Sequence, residues 1–135
     1  MKMQWAILFS VLFVFVLLSI QACSNPTRRL LSVTISPASG TPGGSSSQVQ
    51  FVATGHYNTS PYTVTPLAAT WGVANPGNQT VATTSQSGLA TCSASGSTTV
   101  VAWVLPPPRG PVCNVIGPGG VPCGAIAGTA KLTCP

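Results

Sequence analysis

The chain has 135 residues, a formal charge of +5 and no Asp or Glu at any position. With no side-chain carboxylate, it has no groups for paired-carboxylate glycoside hydrolysis, a carboxylate-oriented Ser-His triad, oxygen-ligated Ca²⁺ or Mg²⁺ sites, or side-chain salt bridges. The cations Lys2, Arg28, Arg29, Arg109 and Lys131 are scattered rather than interleaved with aromatics, which argues against a nucleic-acid partner.

In chain order, residues 1–22 read as a signal peptide, 23–30 as a tether and 31–135 as one domain with an inserted loop at 106–125. Lys2 gives a positive start, and residues 5–20 form an apolar run broken only by Ser10 and Ser19. As a helix that run rises about 24 Å, short of the roughly 30 Å hydrocarbon thickness, so it suits a cleaved leader better than a permanent span. Leu18-Ser19-Ile20-Gln21-Ala22-Cys23 resembles a bacterial lipobox, with an aliphatic residue three before the cysteine, a small one just before it and Ser24 after it. Gln21 departs from that pattern, which usually has a small or aliphatic residue there. The resemblance implies a thioether lipid on Cys23, cleavage before it and acylation of the new amino terminus. The membrane would then be a partner through Cys23, with the outer membrane or cell surface of a bacterium as the expected location. Ordinary cleavage with secretion and an uncleaved anchor are the alternatives.

After a solvated tether, Leu31, Val33 and Ile35 alternate with Ser32, Thr34 and Ser36, the period of two of a half-buried strand, stopped by Pro37. Residues 39–47 are a Gly/Ser/Pro turn region. Val49, Phe51, Ala53, Gly55 and Tyr57 then alternate with Gln48, Gln50, Val52, Thr54 and His56 in the cleanest strand of the chain. Past a loop at 58–66, Ala69, Trp71 and Val73 share one face, with Trp71 as the expected core anchor, and Asn75-Pro76-Gly77-Asn78 signals a turn. Short strands at 81–84 and 89–94 flank Gly88. Residues 98–105 are apolar on both faces, as a central strand would be, and 127–134 close the set.

An all-β fold follows, and the ordered segments carry a resemblance. Ser32-Val33-Thr34-Ile35-Ser36-Pro37, the strand around Gln50-Phe51, Thr70-Trp71, Val81-Ala82-Thr83, Ser87-Gly88-Leu89-Ala90-Thr91, Gly96 to Ala102 and Gly128 to Thr133 are together similar to the bacterial immunoglobulin-like domains of the second group. That likeness implies an immunoglobulin-like two-sheet Greek-key sandwich of the kind found in adhesins and envelope proteins, and no catalytic residues. The chain departs from it in lacking acidic turn residues and in the length of the 106–125 loop, far longer than a hairpin needs.

Setting Cys23 aside leaves Cys92, Cys113, Cys123 and Cys134, an even number in an exported chain, which reads as two disulfides with three possible pairings. Cys113 with Cys123, closing the loop tip, and Cys92 with Cys134, fastening the last strand, are the favoured pairs. No C-x-x-C spacing exists and the single His56 falls on the polar face of its strand, so neither metal, other cofactor nor catalytic role is expected. The sequons at Asn58 and Asn78 are coincidental behind a bacterial leader. On the loop, Pro108, Arg109 and Asn114 are the candidate contacts, carried by the stiff Pro106-Pro107-Pro108 approach. The reading is a non-catalytic envelope module that binds an extracellular protein or glycan through this loop. Its rivals are a structural spacer without a discrete ligand and a secreted protease inhibitor presenting Arg109.

Overall fold

The computed structural model describes residues 27–43, 46–75, 80–106 and 117–135. The leader, Cys23, Pro108, Arg109, Cys113 and Asn114 lie outside the described residues. Within them the chain is all-β, with a single short 3-10 turn, Pro118–Gly120, beside ten strands. In order these are β1 Leu30–Ser36, β2 Ser39–Gly40, β3 Gln48–Gln50, β4 Val52–Tyr57, β5 Thr63–Val64, β6 Thr70–Ala74, β7 Ala82–Thr84, β8 Leu89–Cys92, β9 Gly96–Val104 and β10 Ile126–Cys134.

The strands form sheets in the orders β1-β4-β5, β3-β8-β7 and β2-β10-β9-β6. Only Phe51 separates β3 from β4, so the first two sheets join end to end through it. Its amide leaves the strand ladder to donate to the Gly88 carbonyl at 2.9 Å. The spine of the four-stranded sheet is the antiparallel pair β9 and β10, in unbroken register from Ile126↔Val104 to Cys134↔Gly96.

The alternation in the sequence decides which side chains meet. Val33, Ile35, Phe51, Ala53, Trp71, Val81, Ala90, Val100, Ala102, Ala130 and Leu132, drawn from all three sheets, make one core, which gives the molecule its sandwich-like layering. Phe51, Leu132, Val81 and Val100 are the largest fully buried side chains, each contributing roughly 1.5–3 kcal/mol by leaving water. The layers meet at one side where β1 runs against β10. There, a Cβ on Gly128 would stand 2.5 Å from the Val33 carbonyl oxygen, so a side chain has no room.

Two expectations change. Leu31 does not join the buried face of β1: the register with β4 shifts between Leu30 and Ser32, which turns Leu31 out to 61% exposure and packs Leu30 against the core in its place. The turn region at 39–47 contributes a strand, since Ser39 and Gly40 pair in parallel with Lys131 and Leu132 of β10. Every buried side-chain nitrogen and oxygen among the described residues has a hydrogen-bond partner. Thr98, the one buried polar residue among the described residues, donates from Oγ1 to the Ala74 carbonyl at 2.9 Å.

Candidate functional site

The end of the domain where the chain enters and the long loop leaves is shaped by strands β9 and β10 and by the segment ahead of β1. Residues 27–29, expected to be a solvated tether, are fixed. Asn58 clasps them through three hydrogen bonds: its Oδ1 accepts from the Arg29 amide at 2.6 Å, its own amide donates to the Arg29 carbonyl at 3.1 Å, and its Nδ2 donates to the Thr27 carbonyl at 3.3 Å. Arg28 lies over the Tyr57 ring, 3.9 Å from its centroid, and donates from Nη2 to the Pro61 carbonyl at 3.0 Å. Thr27, Arg28, Arg29, Tyr57, Val104 and Pro106 line an open cleft of about 570 Å³ here.

The loop rejoins the sheet by folding back over it. In β9, Val100 and Ala102 face the core, so Val101 and Trp103 face away from it, yet Val101 is only 4% exposed. The cover is the loop's own return leg. The turn Pro118–Gly120 sits on β6 and β9, the Gly119 carbonyl oxygen lies against Gly72 where any Cβ would stand, and a Cβ on Gly119 would lie 3.0 Å from Val101 Cγ2. Within the leg the Gly117 amide donates to the Val121 carbonyl at 2.8 Å, and Cys123 is held in a disulfide. Its expected partner, Cys113, lies outside the described residues. The apolar pattern on both faces of 98–105 thus has a physical cause: one face is core, the other is roofed by the loop.

Cys92 and Cys134 are bonded, with Cα atoms 5.7 Å apart, joining β8 of one layer to the end of β10 in the other. His56, on β4, is half-buried with Nε2 3.1 Å from Thr34 Oγ1 on the neighbouring strand. No three His, Cys, Asp or Glu side chains gather among the described residues. A larger cleft of about 750 Å³ runs along the core mouth past Phe51, Leu67, Trp71, Gln86 and Trp103. Its innermost walls, Phe51 and Trp71, are 0% and 7% exposed and serve the core, so the cleft offers few polar groups for recognition.

Of the sequence-based candidates, Pro108, Arg109 and Asn114 lie outside the described residues, and the structure gives the two roots of their loop. Sequence reasoning missed the Asn58 clasp and the Arg28–Tyr57 stack. The available signal was an Asn opening a loop after a strand that ends in Tyr, which is too common to single out. No protein-family model matches the chain, and no curated protein matches it.

Proposed function

We propose that the chain is a non-catalytic, envelope-anchored module, with an immunoglobulin-like two-sheet sandwich held by a lipid on Cys23. It presents the 106–125 loop to an extracellular protein or glycan. One observation carries this: the loop is far longer than a hairpin needs, and its return leg is fastened to the outer face of β6 and β9 while Cys123 is disulfide-bonded. A long loop pinned at its base loses little entropy when its tip engages a partner. The strand orders favour the finer fold, because β1-β4 with β3-β8-β7 opposes β2-β10-β9-β6 and the chain crosses between the layers from β1 to β2.

The spacer reading is weaker, since the only exposed large hydrophobic side chains among the described residues are Leu31, Tyr62 and Leu105, too few for a stacking face. The test is a Pro108→Ala/Arg109→Ala/Asn114→Ala variant, which keeps every cysteine and the return leg. Pull-down from envelope extracts with the anchored protein is expected to lose its retained partner by at least about tenfold in affinity, as loss of a few central contacts does. An unchanged set of retained molecules would favour the spacer.

A further inference from the structure

We propose that the tether end of the domain, bearing Arg28, Arg29, Tyr57 and Tyr62, docks on an anionic phospholipid surface. The inference rests on the membrane-tethering part of the proposed function and goes beyond it: the domain lies on the bilayer rather than swinging from it.

The first ground is reach. Thr27 is already fixed by the Asn58 clasp, and it follows Cys23 by four positions, with three residues between them. Such a segment spans at most about 14 Å fully extended, so a lipid on Cys23 keeps this end of the domain within about that distance of the headgroups. An uncleaved apolar run at 5–20 would allow a distance of up to about 25 Å. The chain length, rather than any attraction, places this face at the membrane.

The second ground is what the face carries. Arg28 and Arg29 are adjacent and exposed, and Lys131, the other cation among the described residues, lies about 17 Å from Ile126 along β10. With no Asp or Glu in the chain, no side chain neutralises the pair or repels a phosphate. Arg28 is held in place by Tyr57 and the Pro61 carbonyl, so little side-chain freedom is left to lose on contact. All three exposed large hydrophobics among the described residues adjoin this end. Leu31 follows Leu30 at the clasp, Tyr62 follows Pro61, and Leu105 lies between Val104 and Pro106 of the cleft wall. A cationic pair flanked by Tyr and Leu matches the headgroup region, where aromatic rings sit at the interface and cations meet phosphate.

The experiment uses the full protein isolated from membranes and reconstituted into vesicles of phosphatidylcholine alone or mixed with phosphatidylglycerol. Hydrogen exchange is then followed at residues 27–31 and 58–63. Exchange is expected to slow severalfold in the anionic vesicles and to recover at high salt. Arg29→Gln removes a side chain that makes no hydrogen bond among the described residues, and should weaken docking about fivefold. Adding Arg28→Gln should abolish the protection. Equal exchange in the two vesicle types, or protection undiminished in the double variant, would overturn the proposal while leaving tethering intact. Tethering is read separately, by recovery with neutral vesicles at high salt. If that recovery fails while salt-sensitive protection by anionic vesicles persists, docking stands and the anchor does not.

Discussion

Replacing both Cys92 and Cys134 with Ala is expected to lower the unfolding free energy by about 4 kcal/mol. The bridge closes a stretch with a sequence separation of 42. In the chain-entropy account, opening a loop of that length returns roughly this much freedom to the unfolded chain. In the folded state it joins β8 to the end of β10, in opposite layers, and Cys134 is 4% exposed in the core, so nothing else is covalently placed to hold that end shut. For a domain of about 110 residues this corresponds to a fall in Tm on the order of 20 °C. Urea unfolding of the double variant against the parent isolates this bond, whereas a reductant would also open the disulfide at Cys123. A difference below about 1 kcal/mol would show that packing alone closes the layers.

Phe51→Ala should cost about as much, roughly 3–5 kcal/mol, with Phe51→Leu costing less than about 1.5 kcal/mol. The ring is fully buried, and its tip reaches across the layers, since a Cβ on Gly40 of β2 would lie 3.1 Å from Phe51 Cζ. Removing it leaves a void where three elements converge: the β3–β4 junction, the Gly88 turn that accepts the Phe51 amide, and the short parallel pairing of β2. A void so enclosed relaxes little, which puts the cost toward the upper part of the range. Denaturant titration followed by Trp fluorescence measures it, and equal losses for Ala and Leu would place the ring's role outside packing.

The parts legible in the sequence were those with a strict period. Val49 to Tyr57 reads as one alternating strand, and the structure buries Phe51, Ala53 and Gly55 as that pattern requires but breaks the strand at Phe51 into β3 and β4. Trp71 was legible as an anchor because a large indole that shares one face of a short strand with Ala69 and Val73 has few other places to go. The Cys92–Cys134 bond was favoured among three pairings, because it fastened the last strand to the one after Gly88. Leu31 shows where periodicity stops: a one-residue register shift is set by how Leu30 meets Tyr57 on β4, and that partner is distant in sequence. Strands β2 and β5 are two residues each, too short to show any period. The return leg of the loop was hidden for a different reason. Gly117 to Gly120 reads as a turn, and only the otherwise unexplained second apolar face of β9 hinted that something covers it. The clasp by Asn58 left no local trace, because its partners are 29 and 31 residues away.

These long-range contacts also link fold to function. The β9–β10 pair carries the loop at one end, the Arg28–Tyr57 stack lies beside the loop's roots, and Asn58 ties the tether to the same end. In the proposed function, the four positions from Cys23 to Thr27 leave little slack between the anchor and the end of the domain from which the 106–125 loop departs. Anchoring is the premise on which loop presentation and membrane docking both depend. Its most direct test is the intact mass of the protein recovered from the membrane fraction, with peptide mapping of its amino terminus. A chain beginning at Cys23, with a thioether-linked diacylglyceryl group and an acylated amino terminus, is the expected result. A soluble chain with an unmodified Cys23 thiol, or a membrane-bound chain that keeps residues 1–22, would contradict it.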